Sequence, residues 1–195
     1  MEMLEGLNEA QKAAAGHVEG PMMVVAGAGS GKTRVLTHRI AHLIDQGVDP
    51  FSILSLTFTN KAAREMKLRI GKIVGDSEAR NIWMGTFHSI FARILRIECE
   101  RINYPRNFTI YDTQDSRSLL KDIIKGMGLN DKTYKPAGVQ SRISAAKNNL
   151  LDARAYAENA EIRSEDQQAG RPMLADIFAQ YEVRCFRAGA MDFDD

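Results

Sequence analysis

Between Ala26 and Thr33 the chain reads Ala-Gly-Ala-Gly-Ser-Gly-Lys-Thr, and these residue types can grip an anion. The glycines let the backbone curl until several N–H groups converge on one negative charge. Lys32 adds a mobile point charge, and Thr33 adds a hydroxyl of the kind that ligates a hard cation. The apolar run Met22–Ala26 before the loop predicts a short strand. The residues after it, Thr33–Gln46, predict a helix with Val35, Leu36, Ile40, Leu43 and Ile44 on one side and Gly47 as its stop. Strand, glycine loop and helix start, in that order, form the context of a phosphate-binding loop. In such a loop the lysine reaches the β- and γ-phosphates and the hydroxyl holds Mg²⁺. The strict pattern opens with glycine where this chain has Ala26, but the Gly-Ser-Gly-Lys-Thr end that makes the phosphate contacts is intact. A glycine-rich turn that binds nothing is the bland alternative, and it leaves that ordering unexplained.

The elements that must position this loop keep the same rhythm. Ile53–Phe58 predicts a second strand, and Asn60–Val74 a helix with Ala63, Met66, Ile70 and Ile73 at helical spacing. Asn81–Met84 predicts a third strand. Thr86 then stands as the cap of a helix in which Phe87, Ile90, Phe91, Ile94 and Leu95 recur. Alternating strands and helices imply a parallel sheet covered by helices. After about residue 100 the pattern changes. Phe108–Tyr111 predicts a short strand, and helices are expected over 113–127, 136–149, 152–160 and 171–188, as a helical subdomain.

The chain has 195 residues, 44% of them apolar and 26% charged, which argues for a folded core and against disorder. No apolar stretch is long enough to cross a membrane, and the acidic N-terminus is not a secretory signal. The net charge of +1 does not announce a nucleic-acid binder. Residues 1–110 carry a slight basic excess and residues 111–195 a slight acidic one. The two cysteines, Cys99 and Cys185, have no metal-ligand spacing, so a reduced, cytoplasmic compartment is expected.

Three further motifs flank the loop: Leu7-Asn8-Glu9-Ala10-Gln11 before the first strand, Thr57-Phe58-Thr59-Asn60-Lys61-Ala62-Ala63 after the second, and Gly85-Thr86-Phe87-His88-Ser89 after the third. In this order and spacing they resemble the first motifs of superfamily 1 DNA helicases of the UvrD/Rep/PcrA type. The resemblance covers essentially the whole chain. It implies an α/β fold built on a P-loop NTPase (RecA-like) parallel sheet, here incomplete. Residues 1–110 would form the first part of domain 1A, and residues 111–195 a helical 1B-type subdomain.

The resemblance also implies roles. Gln11 would read the adenine edge, which a side-chain amide can do with both donor and acceptor. Ala26, Gly27, Ala28, Gly29, Ser30, Gly31, Lys32 and Thr33 would hold the phosphates of ATP, with Thr33 on Mg²⁺, and Lys32 and Thr33 acting in catalysis. Arg34 would pack its guanidinium on the adenine face. Phe58, Thr59, Asn60 and Lys61, with Phe87 and His88, would line a single-stranded DNA track, aromatic rings stacking on bases and polar groups holding phosphates. Each has a plainer reading: a solvated Gln11, a helix cap at Asn60, core aromatics at Phe58 and Phe87, a structural His88. The lysines and arginines Lys61, Arg64, Lys67, Arg69 and Lys72 read as a solvated helix face or as a minor attraction for DNA.

The acidic Asp-Glu-x-x-Asp motif of the family is not found, and Asp192, Asp194 and Asp195 do not come after a suitable strand. The chain is therefore expected to be the first part of a motor that couples ATP hydrolysis to 3′-to-5′ translocation on single-stranded DNA and to unwinding at duplex junctions. By itself it is expected to be inactive. A small P-loop kinase would need an arginine-rich lid, and no such cluster stands out in 113–190. A non-catalytic ATP-binding module would not require the Thr-Phe-Thr-Asn-Lys and Gly-Thr-Phe-His-Ser motifs.

Overall fold

In the computed structural model, which describes residues 2–195, Asn8 opens the first helix, α1 (Glu9–Gly16). Its side chain accepts the Gln11 N–H at 2.9 Å, and the Gln11 side chain accepts the Asn8 N–H at 3.1 Å. This reciprocal cap satisfies two helix-end donors at once. Helix α2 (Lys32–Asp45) starts directly after Gly31, whose φ of 87° belongs to the left-handed region. Leu7, Ala15 and Val35 are buried together and tie α1 to α2. Arg39 adds donors to the carbonyls of Ala14 and His17.

The chain continues through β1 (Leu54–Thr57), α3 (Asn60–Val74), α4 (Asp76–Asn81), β2 (Trp83–Thr86) and α5 (Phe87–Glu98). Strands β1 and β2 pair in parallel, with Leu54 opposite Trp83 and Thr57 opposite Thr86. Parallel pairing requires a crossover, and α3 with α4 supplies it. Ile40, Ile53, Met66, Ile70, Ala79 and Ile82 form the buried cluster around this pair. The six residues of α4 carry only Ala79 inward, which is too short a pattern to read from sequence.

One expected strand is not formed. Residues 21–27 have no regular structure, and Met23 and Val25 are each 85% exposed. Among the described residues β1 pairs only with β2, so Met22–Ala26 lies outside the sheet. An apolar run becomes a buried strand only where neighbours cover it and accept its ladder bonds.

The chain divides into two compact units, Met1–Ile94 and Leu95–Asp195. Residues 95–110 pack within the second unit: Arg96 lies over the Phe108 ring, and Tyr104 meets Phe108 and Phe186 edge to face. That unit also contains β3 (Thr109–Ile110), α6 (Thr113–Gly126), α7 (Pro136–Asn148), α8 (Ala153–Glu158), α9 (Ala160–Gln168), α10 (Leu174–Arg187) and β4 (Ala190–Met191). Asp112, Asp152 and Asn159 cap their helices with side-chain oxygens, and Pro136 occupies a first helical turn where its missing N–H is harmless. The core gathers Leu120, Ile123, Val139, Ile143, Leu174, Ile177 and Phe178. Strands β3 and β4 pair in parallel. Neither β4 nor the separate helix α9 was expected from the sequence.

Candidate functional site

The glycine loop is held together by its own polar groups. The Ser30 hydroxyl donates to the Gly27 carbonyl at 2.7 Å. Lys32 Nζ donates to the carbonyls of Ala26 and Gly27, both at 2.7 Å. An ammonium has three donors, so one remains for an anion in the same loop. Gly29 and Gly31 have φ of 77° and 87°, which residues with a Cβ rarely adopt. Ala26, Gly27, Ala28, Gly29, Ser30, Lys32, Thr33 and Arg34 are exposed, and Gly31 is half-buried.

Gln11 joins this loop from α1. Its Nε2 donates to the Ser30 carbonyl at 3.0 Å while its Oε1 holds the cap at Asn8. A Cβ at Gly31 would come within 2.7 Å of that Nε2. Gln11 is therefore a half-buried structural link between α1 and the loop, with one amide N–H left over. Thr33 lies in the first turn of α2, beside Lys32. Among the described residues no group of three or more His, Cys, Asp or Glu side chains could hold a metal ion.

A second constellation arises from the strand register. Because Thr57 lies opposite Thr86, the next residues, Phe58 and Phe87, emerge side by side. Their ring centroids are 5.4 Å apart, and Phe91, one helical turn after Phe87, stands 6.3 Å from it. Phe58 is 89% exposed, and Phe87 and Phe91 are exposed too, so these rings are not core. Thr59, and not Asn60, caps α3, accepting the Ala62 N–H at 3.1 Å. Asn60 and Lys61 are exposed first-turn residues of α3, and His88 is an exposed first-turn residue of α5. Thr86 acts as expected at the start of α5, its hydroxyl accepting the Ser89 N–H at 3.3 Å. Phe91 was missed as a surface ring; its spacing four residues after Phe87 was the available signal. On α3, Arg69 pairs with Glu65, while Arg64 and Lys67 join Arg80 around a cavity of about 390 Å³.

Perturbed titration concentrates in the second unit. Lys147 Nζ lies 2.9 Å from Asp192 and 2.6 Å from Asp195. Burial alone would lower the Lys147 ammonium, but the two carboxylates overcome it and hold it above its usual range. Burial and the neighbouring Asp192 charge push Asp195 up. Asp192 itself stays low because Lys147 and the Tyr181 hydroxyl outweigh its burial. Burial pushes the Cys185 thiol up to about 11, which leaves it unreactive near neutrality. Tyr156 is pushed up to about 12 by burial and by the buried Asp166 that its hydroxyl meets. Lys147, Cys185 and Asp195 line one cavity of about 400 Å³.

A mixed α/β protein with small parallel sheets and a lysine-bearing glycine loop at a helix start is the class that these features define. Comparison with known proteins makes this specific: the chain belongs to the UvrD/REP helicase N-terminal domain family, whose sequence profile matches residues 7–195. It is 44% identical over 194 residues to the ATP-dependent DNA helicase PcrA of Leuconostoc citreum, covering 99% of this chain and 25% of that protein. It is 46% identical over 194 residues to the PcrA helicase of Staphylococcus aureus strain Mu50, covering 99% of this chain and 26% of that protein. For the PcrA helicase of Staphylococcus epidermidis the identity is 44%, with 99% of this chain and 26% of that protein covered. The chain thus spans about a quarter of the length of these curated relatives. No helix among the described residues is long and apolar enough to cross a membrane.

Proposed function

We propose that this chain supplies the phosphate grip and part of the strand track of an ATP-dependent DNA helicase that moves 3′ to 5′ on single-stranded DNA and opens duplex at junctions. The observation that carries this reading is Lys32, anchored on two carbonyls inside the glycine loop at the start of α2. The names of the PcrA relatives support it. On this reading residues 1–110 are the first part of a RecA-like P-loop NTPase domain and residues 111–195 a 1B-type subdomain.

The loop N–H groups and the α2 N-terminus hold the triphosphate of ATP, and the remaining Lys32 donor points to its oxygens. The Thr33 hydroxyl is the oxygen ligand this loop offers to Mg²⁺, shared with phosphate and water. When bound, Mg²⁺ neutralises charge on the β- and γ-phosphates. Gln11 and Arg34 flank the loop where the base of the nucleotide would lie. Phe58 and Phe87, joined by Phe91, stack on bases of the strand, while Thr59, Asn60, Lys61 and His88 contact its backbone.

The test is calorimetric titration of the chain with Mg·ATP, before and after Lys32→Ala. The substitution is expected to abolish binding, because the loop loses its only side-chain cation. Binding that persists at wild-type affinity would remove the phosphate-loop assignment.

A further inference from the structure

Gly6 stands in the turn before the buried Leu7, with φ of +74°. A Cβ built there would come 2.9 Å from a terminal guanidinium nitrogen of Arg34. Arg34 is exposed, and although its carbonyl accepts the Thr37 hydroxyl at 2.9 Å, its guanidinium makes no hydrogen bond or ion pair among the described residues. Its guanidinium therefore rests where it does by shape alone, against bare backbone at position 6. The turn beneath it is held by the two residues that follow, Leu7 in the core with Ala15 and Val35, and Asn8 as the cap of α1. Arg34 itself is the third residue of α2, three positions after Gly31 and one after Thr33. Gln11 closes against Gly31 in a similar way, 2.7 Å from a Cβ built there. Two glycines thus leave room for two planar side chains that flank the loop.

We propose that Gly6 is a positioning residue for nucleobase selectivity: the missing side chain lets the Arg34 guanidinium lie beside the loop, where its flat face can stack on a purine. The proposal rests on the ATP reading above. The atom that a Cβ would meet is the free end of a flexible side chain, so Gly6→Ala displaces the guanidinium and leaves the fold standing. A guanidinium stacked on a ring contributes enough to change affinity roughly threefold to thirtyfold. The phosphate grip, built from Lys32 and backbone N–H groups, does not depend on it.

The experiment is calorimetry on this chain with Mg·ATP and with Mg·tripolyphosphate, which has no base. Gly20→Ala is the control, because Gly20 has φ of +76° but nothing within 4 Å of a built Cβ. Gly6→Ala is expected to weaken ATP binding about threefold to thirtyfold while tripolyphosphate affinity stays unchanged. Gly20→Ala should change neither, although both alanines strain the backbone alike and lower the melting temperature to a similar extent. In an Arg34→Ala background, Gly6→Ala should have no further effect on ATP affinity. Equal losses for both ligands, no loss for ATP, or an additive loss in the Arg34→Ala background would each overturn the proposal. A wild-type chain that binds tripolyphosphate as tightly as ATP would overturn it as well. A wild-type chain that binds neither ligand would instead refute the nucleotide reading, and the proposal with it.

Discussion

Replacing Lys147 by methionine should remove much of the helical unit's stability margin. The Lys147 side chain is 9% exposed and that of Asp192 11%, so this ion pair is buried. Methionine keeps the volume and removes the cation, leaving Asp192 and Asp195 facing each other with no counter-charge. Breaking a buried pair from one side costs about 3–5 kcal/mol, against a total domain stability of about 5–15 kcal/mol. At about 3 kcal/mol, a unit of this size loses roughly 12–24 °C in melting temperature. The pH dependence should also steepen, because the raised Asp195 already favours mild acid in the wild type. In the wild type, the Asp192 carboxyl is held below its ordinary value of 3.8. Its stabilisation is therefore present above that value and is lost as pH falls through the lower folded value. The raised Lys147 ammonium stabilises below its ordinary value of 10.5, and that contribution disappears as pH rises through the higher folded value. Without Lys147, burial raises both carboxyls, so mild acid should stabilise the variant by protonating them. Urea melts followed by far-UV circular dichroism, at neutral pH and in mild acid, read both effects. A triple variant, Lys147→Met with Asp192→Asn and Asp195→Asn, should recover part of the loss, because no buried charge remains. A loss below about 1 kcal/mol with unchanged pH dependence would refute the reasoning.

Phe58→Ala combined with Phe87→Ala should weaken binding of an oligo-dT strand by about 1–3 kcal/mol per stacked base. Fluorescence anisotropy at fixed salt checks it, and unchanged affinity would remove the ring platform from the strand track. Leu150 is 94% exposed with φ of 58°, a conformation that strains a residue bearing a Cβ. Leu150→Asn should raise stability by about 0.5–1 kcal/mol in a urea melt, since no burial is lost. The exposed, unpaired Met22–Ala26 run should drive concentration-dependent association, visible by light scattering and reduced by Val25→Lys. A monodisperse monomer at high concentration would contradict this.

The glycine loop and its lysine at the start of α2 were legible because they rest on residue types in strict order, all within a few positions. The helix over Asn60–Val74 was legible for a similar reason, since its inward residues repeat at one spacing. The ring platform was only half legible. A phenylalanine reads as core from sequence, and only the Thr57–Thr86 register places Phe58 and Phe87 together at the surface. Met22–Ala26 misled in the opposite direction, since burial of an apolar run depends on neighbours that its own residues do not encode. Two-residue strands such as β4 have no periodicity to detect. The contact between Lys147 and Asp192 joins residues 45 apart, and nothing local announces it.

The β3–β4 pair has an architectural consequence. Thr109 lies beside Ala190 and Ile110 beside Met191, so the chain enters and leaves the intervening helices through one doorway about 5 Å wide. The stretch between Ile110 and Ala190 is a cassette. Its Lys147 clamps Asp192 and Asp195 just past the exit strand, so another helical insert placed at this doorway must bring a counter-charge of its own.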